Sequence, residues 1–382
     1  MLFKNLLPAA AFVTGATAAS LSDVLASQNS TLSTLNSLLA SNPDIVKTLS
    51  DASDITLLAP SNDALSKFLS NPSNAATVVS QTGLLDALLS YHVLNGTLYA
   101  SNFTNSSIFV PTWLSNSSYA NVTGGQVVEA SLTNGSNVTF WSALKQNSTV
   151  SQANLNFTGG TLHIIDTVLS IPGDLNSTLV ASNLTSADGA LQKAGSDLTS
   201  KLAGLHNVTV FVPSNSAFSD IANIAGNWTS NQVADILNYH IIDGTVDYST
   251  LFKNNTQAAT LGGGNVTFTV DNGTIFVDSA RIIEKDVLLS NGVLHVIDGV
   301  LNPKNTTAKP NTSGSTDAPA FSGASAASNS VPFTSGVPTP TTTVPAATGV
   351  SSSKSTGLAI PIQTGAVGYA ALFGGAAILA NL

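Results

Sequence analysis

Gly160-Thr161-Leu162-His163-Ile164-Ile165-Asp166-Thr167-Val168-Leu169 returns near the end of the chain as Gly292-Val293-Leu294-His295-Val296-Ile297-Asp298-Gly299-Val300-Leu301. Both stretches are rich in β-branched residues, begin on a glycine and run towards a proline, Pro172 or Pro303. That pattern predicts a buried strand closing a domain. Two further echoes occur in the same order. Leu57-Leu58-Ala59-Pro60-Ser61-Asn62-Asp63-Ala64-Leu65 matches Val210-Phe211-Val212-Pro213-Ser214-Asn215-Ser216-Ala217-Phe218. Leu88-Leu89-Ser90-Tyr91-His92-Val93-Leu94-Asn95-Gly96-Thr97 matches Ile236-Leu237-Asn238-Tyr239-His240-Ile241-Ile242-Asp243-Gly244-Thr245. Three echoes in one order predict a tandem duplication, each copy of ordinary single-domain size.

Within each copy, helical spacing fills the first half and short alternating strands the second. Leu32, Leu35, Leu38 and Leu39 lie on one helix face, and Ile45, Val46 and Leu49 continue after Pro43. Ser61 or Asn62 is placed to cap the helix after Pro60. Val266 to Val270 is expected to pair with Thr274 to Asp278 across Asp271-Asn272-Gly273. Segregated helices and strands predict an α+β fold. The stretch from Phe103 to Phe157 is longer than its counterpart, so the first domain is expected to carry an inserted loop.

A strand ending in Pro-Ser-Asn, a Tyr-His pair after a helix and a closing Gly-x-Leu-His strand together resemble the fasciclin domain, an extracellular adhesion module. The resemblance covers roughly Ser20 to Pro303. It implies two small wedge-shaped β-sandwiches flanked by helices, with adhesion rather than catalysis as their activity. The layout as a whole resembles GPI-anchored, fungal-type surface glycoproteins of that family. Two segments are linked to adhesion by the resemblance. One is the Tyr-His region, here Tyr239 and His240. The other is an acidic loop before the closing strand, here Asp286-Val287, expected to be exposed; the first domain has Asn154 in place of the acid.

Composition narrows the chemistry. The 382 residues are 43% hydrophobic, enough for two cores, but only 9% charged. A net charge of −9 with 12 Lys+Arg argues against nucleic-acid partners. There is no Cys, so no disulfide or thiolate chemistry exists. Of the histidines, His163 and Asp166 (and His295 and Asp298) are three apart on a strand, on opposite faces, so neither pair is a catalytic dyad. No zinc-binding helix pattern, nucleophile elbow or phosphate loop occurs. His92, His240, His163 and His295 are therefore expected to be structural, with His92 and His240 tying a helix end to the sheet, and neither cofactor nor metal is expected.

The remaining segments describe a route to the cell surface. Residues 1–19 read as a signal peptide, 20–172 and 174–303 as the two domains, 304–356 as a disordered Ser/Thr/Pro-rich stalk and 357–382 as a GPI-attachment signal. The stalk is expected to bury no core and to extend on the order of 150 Å. Ser353 or Ser355 is the expected anchor site. Sequons are dense, including Asn29, Asn95, Asn102, Asn116, Asn121, Asn137, Asn183, Asn207, Asn227, Asn272, Asn305 and Asn311. Attached sugar would supply the solubility that charge does not.

These features predict a non-enzymatic adhesion or wall-interaction glycoprotein. Its expected partner is a protein or glycan of the cell wall or a neighbouring cell. It is expected at the outer face of the plasma membrane or in the wall, with the vacuolar membrane as the alternative site. A purely structural surface glycoprotein and an extracellular carbohydrate-active enzyme are the other readings.

Overall fold

The computed structural model describes residues 19–71, 74, 83–305, 307–312, 319–326 and 331–338. Residues 1–18 of the expected signal peptide, the expected attachment signal at 357–382, and Ser353 and Ser355 lie outside them. The first domain runs α1 (Leu21–Ser27), α2 (Asn29–Ala40), α3 (Pro43–Asp51), β1 (Ile55–Pro60), α4 (Asn62–Ser70), α5 (Leu84–Tyr91), β2 (Val93–Asn95), β3 (Ile108–Pro111), β4 (Val127–Thr133), β5 (Asn137–Trp141), β6 (Asn147–Phe157) and β7 (Gly160–Ile165). The second runs α6 (Leu175–Ala181), α7 (Thr185–Ala194), α8 (Ser196–Gly204), β8 (Val208–Pro213), α9 (Asn215–Ser219), α10 (Ala222–Ala225), α11 (Ser230–Tyr239), β9 (Ile241–Ile242), β10 (Thr256–Ala259), β11 (Asn265–Asp271), β12 (Thr274–Val277), β13 (Ala280–Leu289) and β14 (Gly292–Ile297).

Among the described residues each domain has one seven-stranded sheet, ordered β2-β1-β7-β6-β5-β4-β3 in the first and β10-β11-β12-β13-β14-β8-β9 in the second. The first sheet curls until its two edges meet in a Leu94–Thr112 bridge. The echoed strands form the centre: β1 pairs parallel with β7, and β8 with β14. The glycine opening each closing strand is required by close approach, since a Cβ on Gly160 or Gly292 would lie 1.9 Å from the carbonyl oxygen of Ile55 or Val208.

Period-two alternation then divides the interior. Ile55, Leu57, Ala59, Leu162 and Ile164 face the helices, packing with Leu32, Leu35, Leu39 and Leu49. Leu58 and Ile165 face into the curl, with Tyr91, Leu94, Val128 and Phe140. The second domain repeats the division.

The Pro-Ser-Asn mark has one job per residue. Ser61 and Ser214 cap the following helix, accepting from the amides of Ala64 and Ala217 at 3.2 and 3.1 Å. Asn62 instead reaches back to the helix layer, accepting from Thr34 N and donating to Ser30 O, and Asn215 does the same with Ser186 and Asn183. The Asn272-Gly273 hairpin forms as expected, with both residues at positive φ.

Part of the expected stalk is not a stalk. Residues 319–326 and 331–338 lie back along the second domain, where Phe321 packs on Trp228 (centroids 5.3 Å apart) and Phe333 meets Phe218 edge-on at 5.8 Å. The backbone of Phe333 crosses α7 so closely that a Cβ on Gly189 would be 1.6 Å from its carbonyl oxygen. Asn223 fixes the strap by donating to Gly323 O and accepting from Ser325 N. Phe321 and Phe333 are thus the two aromatic contacts of this Ser/Thr/Pro-rich tract with the core of the second domain.

Candidate functional site

Both Tyr-His pairs are interior. His92 and His240 sit where α5 and α11 end, 3% and 2% exposed. Each Nδ1 donates to the carbonyl four residues back (Leu88 or Ile236, 2.7 Å), and each Nε2 accepts from an amide just beyond the closing strand (Leu169 or Leu301, 3.0 Å). A backbone N–H only donates and a carbonyl only accepts, so these partners fix one neutral tautomer. Burial lowers both rings to a pKa of about 4. Each ring thus bridges the helix end and the backbone just beyond the closing strand. Tyr91 and Tyr239 are fully buried, their hydroxyls donating to Val127 O and Asn265 O; Tyr239 also reaches Asp278 at 3.0 Å. Tyr239 and His240 are therefore interior side chains, not presented at the surface where an adhesion contact would be made.

The second histidine pair serves a β-bulge. In β6 the register slips between Gln152 and Leu155, and in β13 between Glu284 and Val287. The bulge leaves one amide out of the ladder. Nδ1 of His163 accepts that amide from Asn154, and Nδ1 of His295 accepts it from Asp286, both at 3.2 Å. Each Nε2 donates to the turn after the Tyr-His segment, at Leu98 O or Asp247 O. The His-x-x-Asp carboxylates act elsewhere, across the neighbouring strand, where Asp166 accepts from Thr149 N and Asp298 from Arg281 N.

Asp286 is therefore not the exposed anchor that the sequence suggested. It is 0% exposed, as is Val287. Its φ of 62° is a left-handed conformation in which Asp and Asn are favoured, and Asn154 matches it at 60°. The carboxylate accepts from Ser249 N at 2.7 Å and from the Ser249 hydroxyl, while Asn154 Oδ1 accepts from Ala100 N at 2.9 Å. The two residues do the same work in the two domains. Asp286 is buried, whereas Asn154 in the first domain is exposed; the two domains meet along a seam.

That seam is built largely by the expected insertion. Residues 112–126 join β3 to β4, where the second domain uses only 260–264. Gln126, fully buried, donates to Leu289 O at 3.0 Å. The Asn121 amide donates to Ser290 O, and its side chain donates to Leu205 O at 3.0 Å. Asn207 forks onto Thr123: Oδ1 accepts from Thr123 N at 2.8 Å and Nδ2 donates to Thr123 Oγ1 at 2.7 Å. Phe109 stacks on Tyr248 with centroids 4.0 Å apart. Glu129 and Lys145, paired at 2.6 Å, bring charge near Glu284, whose pKa burial raises.

The fasciclin-domain family model matches residues 30–172 and 182–303. The chain belongs to the fasciclin family. A fasciclin-like arabinogalactan protein of Arthroderma benhamiae is 33% identical over 78% of this chain and 70% of its own length. The fasciclin-like arabinogalactan protein elcF of Phaeosphaeria nodorum is 32% identical over 78% of this chain and 92% of its own. CTB11 of Cercospora beticola, which has the same description, is 28% identical over 80% and 82%. A solved fasciclin domain pair from the insect adhesion molecule fasciclin I aligns over 69% of this chain and 94% of its own, with 20% identity and a TM-score of 0.34.

In both fasciclin domains the sequence marks thus resolve into structural devices. Among the described residues no group of three or more His, Cys, Asp or Glu is placed to hold a metal ion. None of their helices is long and apolar enough to cross a membrane. Of the sequon asparagines, Asn29, Asn95, Asn102, Asn116, Asn137, Asn227, Asn272 and Asn311 are exposed, whereas Asn121, Asn183, Asn207 and Asn305 are half-buried. Asn305 donates its amide to Ala320 O in the strap. Reading a sequon locally missed the Asn207–Thr123 fork, and the only signal for it was the length of the inserted loop.

Proposed function

We propose that this protein is a non-enzymatic cell-surface glycoprotein that displays two fasciclin domains, as one body, to a protein or glycan partner in the wall or on a neighbouring cell. The observation that carries this reading is that all four repeat-matched histidines have both ring nitrogens engaged by backbone groups. Neither a proton nor a lone pair is left on them for a substrate, although histidine is the side chain most used for acid–base work near neutral pH. The fasciclin-like arabinogalactan relatives support the same class, an extracellular or surface glycoprotein. A GPI anchor following the stalk would hold the body at the membrane face.

Beads bearing the secreted ectodomain, pulled from intact cells and from isolated wall, test this reading. Adhesion is expected to saturate and to be competed by soluble ectodomain. Attachment that neither saturates nor competes favours a structural spacer instead. Turnover of wall glycans by the same preparation would overturn the non-enzymatic reading.

A further inference from the structure

Two sequons interlock across the seam: Asn121-Val122-Thr123 in the inserted loop and Asn207-Val208-Thr209 at the start of β8. The hydroxyl that defines the first, Thr123 Oγ1, is the acceptor for the side-chain amide of the second, Asn207. We propose that an N-glycan on Asn207 and docking of the two domains exclude each other, so that this sequon is a modification site which decides whether the domains close.

The geometry of the fork shows why. Asn207 Oδ1 and Nδ2 both point at one residue, accepting from Thr123 N at 2.8 Å and donating to Thr123 Oγ1 at 2.7 Å. The partner is a backbone amide on one side, so the oxygen and nitrogen of Asn207 are assigned by chemistry. In such a fork the donated hydrogen is the one on the same side of the amide as Oδ1. Glycan transfer forms a bond from the sugar C1 to Nδ2, breaks the bond from C1 to its diphosphate-lipid donor, and releases one Nδ2 hydrogen as a proton. The product is a secondary amide, which prefers the trans arrangement with its new substituent on the oxygen side. C1 then takes the position facing Thr123 Oγ1, and the fork cannot form.

Surroundings reinforce the conflict. Asn207 is half-buried, its backbone is left-handed at φ 58°, and its side chain is directed into the seam. Beside it, Asn121 donates its amide to Leu205 O, and His206 contacts Asn121 O at 2.5 Å. The hydroxyl of the second sequon, Thr209 Oγ1, is inside the domain, donating to Thr245 O. Sugar therefore reaches Asn207 only before the second domain folds, and occupancy is settled before docking begins.

The test measures occupancy and shape on the same material. The full chain, secreted from a glycosylating host, is separated by size exclusion, and each fraction is profiled by small-angle scattering. Peptide N-glycosidase in heavy-oxygen water then marks every occupied asparagine for mass spectrometry. Compact material is expected to be bare at Asn207, and any extended material to carry sugar there. Compact material occupied at Asn207, or extended material bare at Asn207, overturns the proposal. As a second arm, chain produced with oligosaccharide transfer blocked is expected to be compact; if it folds by circular dichroism and is extended, the clamp does not hold the domains and the proposal fails.

Discussion

Asp286 gives its backbone N–H to Nδ1 of His295 across the last two strands of the second domain, at 3.2 Å. Asn154 and His163 repeat the bond at the same distance in the first. An acid in one copy and an amide in the other sit on one bulge, with φ of 62° and 60°. What matters at this position is an Asx side chain that tolerates left-handed backbone and accepts the amide of the facing turn. Charge is incidental to that role.

Asp286→Asn is accordingly expected to fold with little loss, since the first domain already uses asparagine. Asp286→Ala strands the buried amide and hydroxyl of Ser249 and places alanine at positive φ. It is expected to destabilise the second domain by roughly 1–3 kcal/mol. Urea unfolding of the two variants checks this. Equal midpoints for Asp286→Ala and the parent would contradict the staple.

His92 and His240 predict a dependence on acid. Their pKa falls from 6.5 to about 4 on folding, because burial disfavours the charged ring. Between those values the unfolded chain binds protons that the folded chain does not. Each ring's contribution is therefore complete above pH 6.5 and drains away as pH falls towards 4. The loss is roughly 3 kcal/mol per ring. His240→Ala is itself expected to lower stability at neutral pH by roughly 1–3 kcal/mol. The gap between parent and variant should narrow from pH 7 to pH 4 in thermal unfolding. A constant gap would contradict the buried neutral ring.

The strap makes an optical prediction. Trp228 packs against both Phe321 and Phe333. Replacing the two phenylalanines by alanine is expected to release residues 319–326 and 331–338, wet the indole and shift its emission to the red. Trp113→Phe and Trp141→Phe in the background leave Trp228 as the sole reporter. Unchanged emission would mean that the strap does not depend on its aromatic anchors.

Legibility in the sequence followed the range of the interaction. The ordered echoes predicted two domains, and the β-branched runs after Gly160 and Gly292 predicted the central strands, because local pattern and burial coincide there. His92 and His240 were also legible, since a polar ring at a helix end between apolar strands must find backbone partners. Asp286 was misread because the residue that closes over its carboxylate, Ser249, lies 37 residues away in the chain. Composition averaged over residues 304–356 hid Phe321 and Phe333. The inserted loop was visible as length, but its bonds to Leu205, Asn207 and Leu289 join positions that no local pattern connects.

The central claim is that the inserted loop, residues 112–126, makes the two fasciclin domains one body. The absence of cysteine allows a direct measurement, because Ser37→Cys on α2 and Lys201→Cys on α8, both exposed, accept two spin labels and no others. Pulsed electron double resonance on the labelled chain, produced with oligosaccharide transfer blocked, is expected to give one narrow distance distribution. Adding Thr123→Ala and Gln126→Ala, which remove the fork's acceptor and the bond to Leu289, is expected to broaden it. A broad distribution in the parent, or one unchanged by the two substitutions, would contradict the claim.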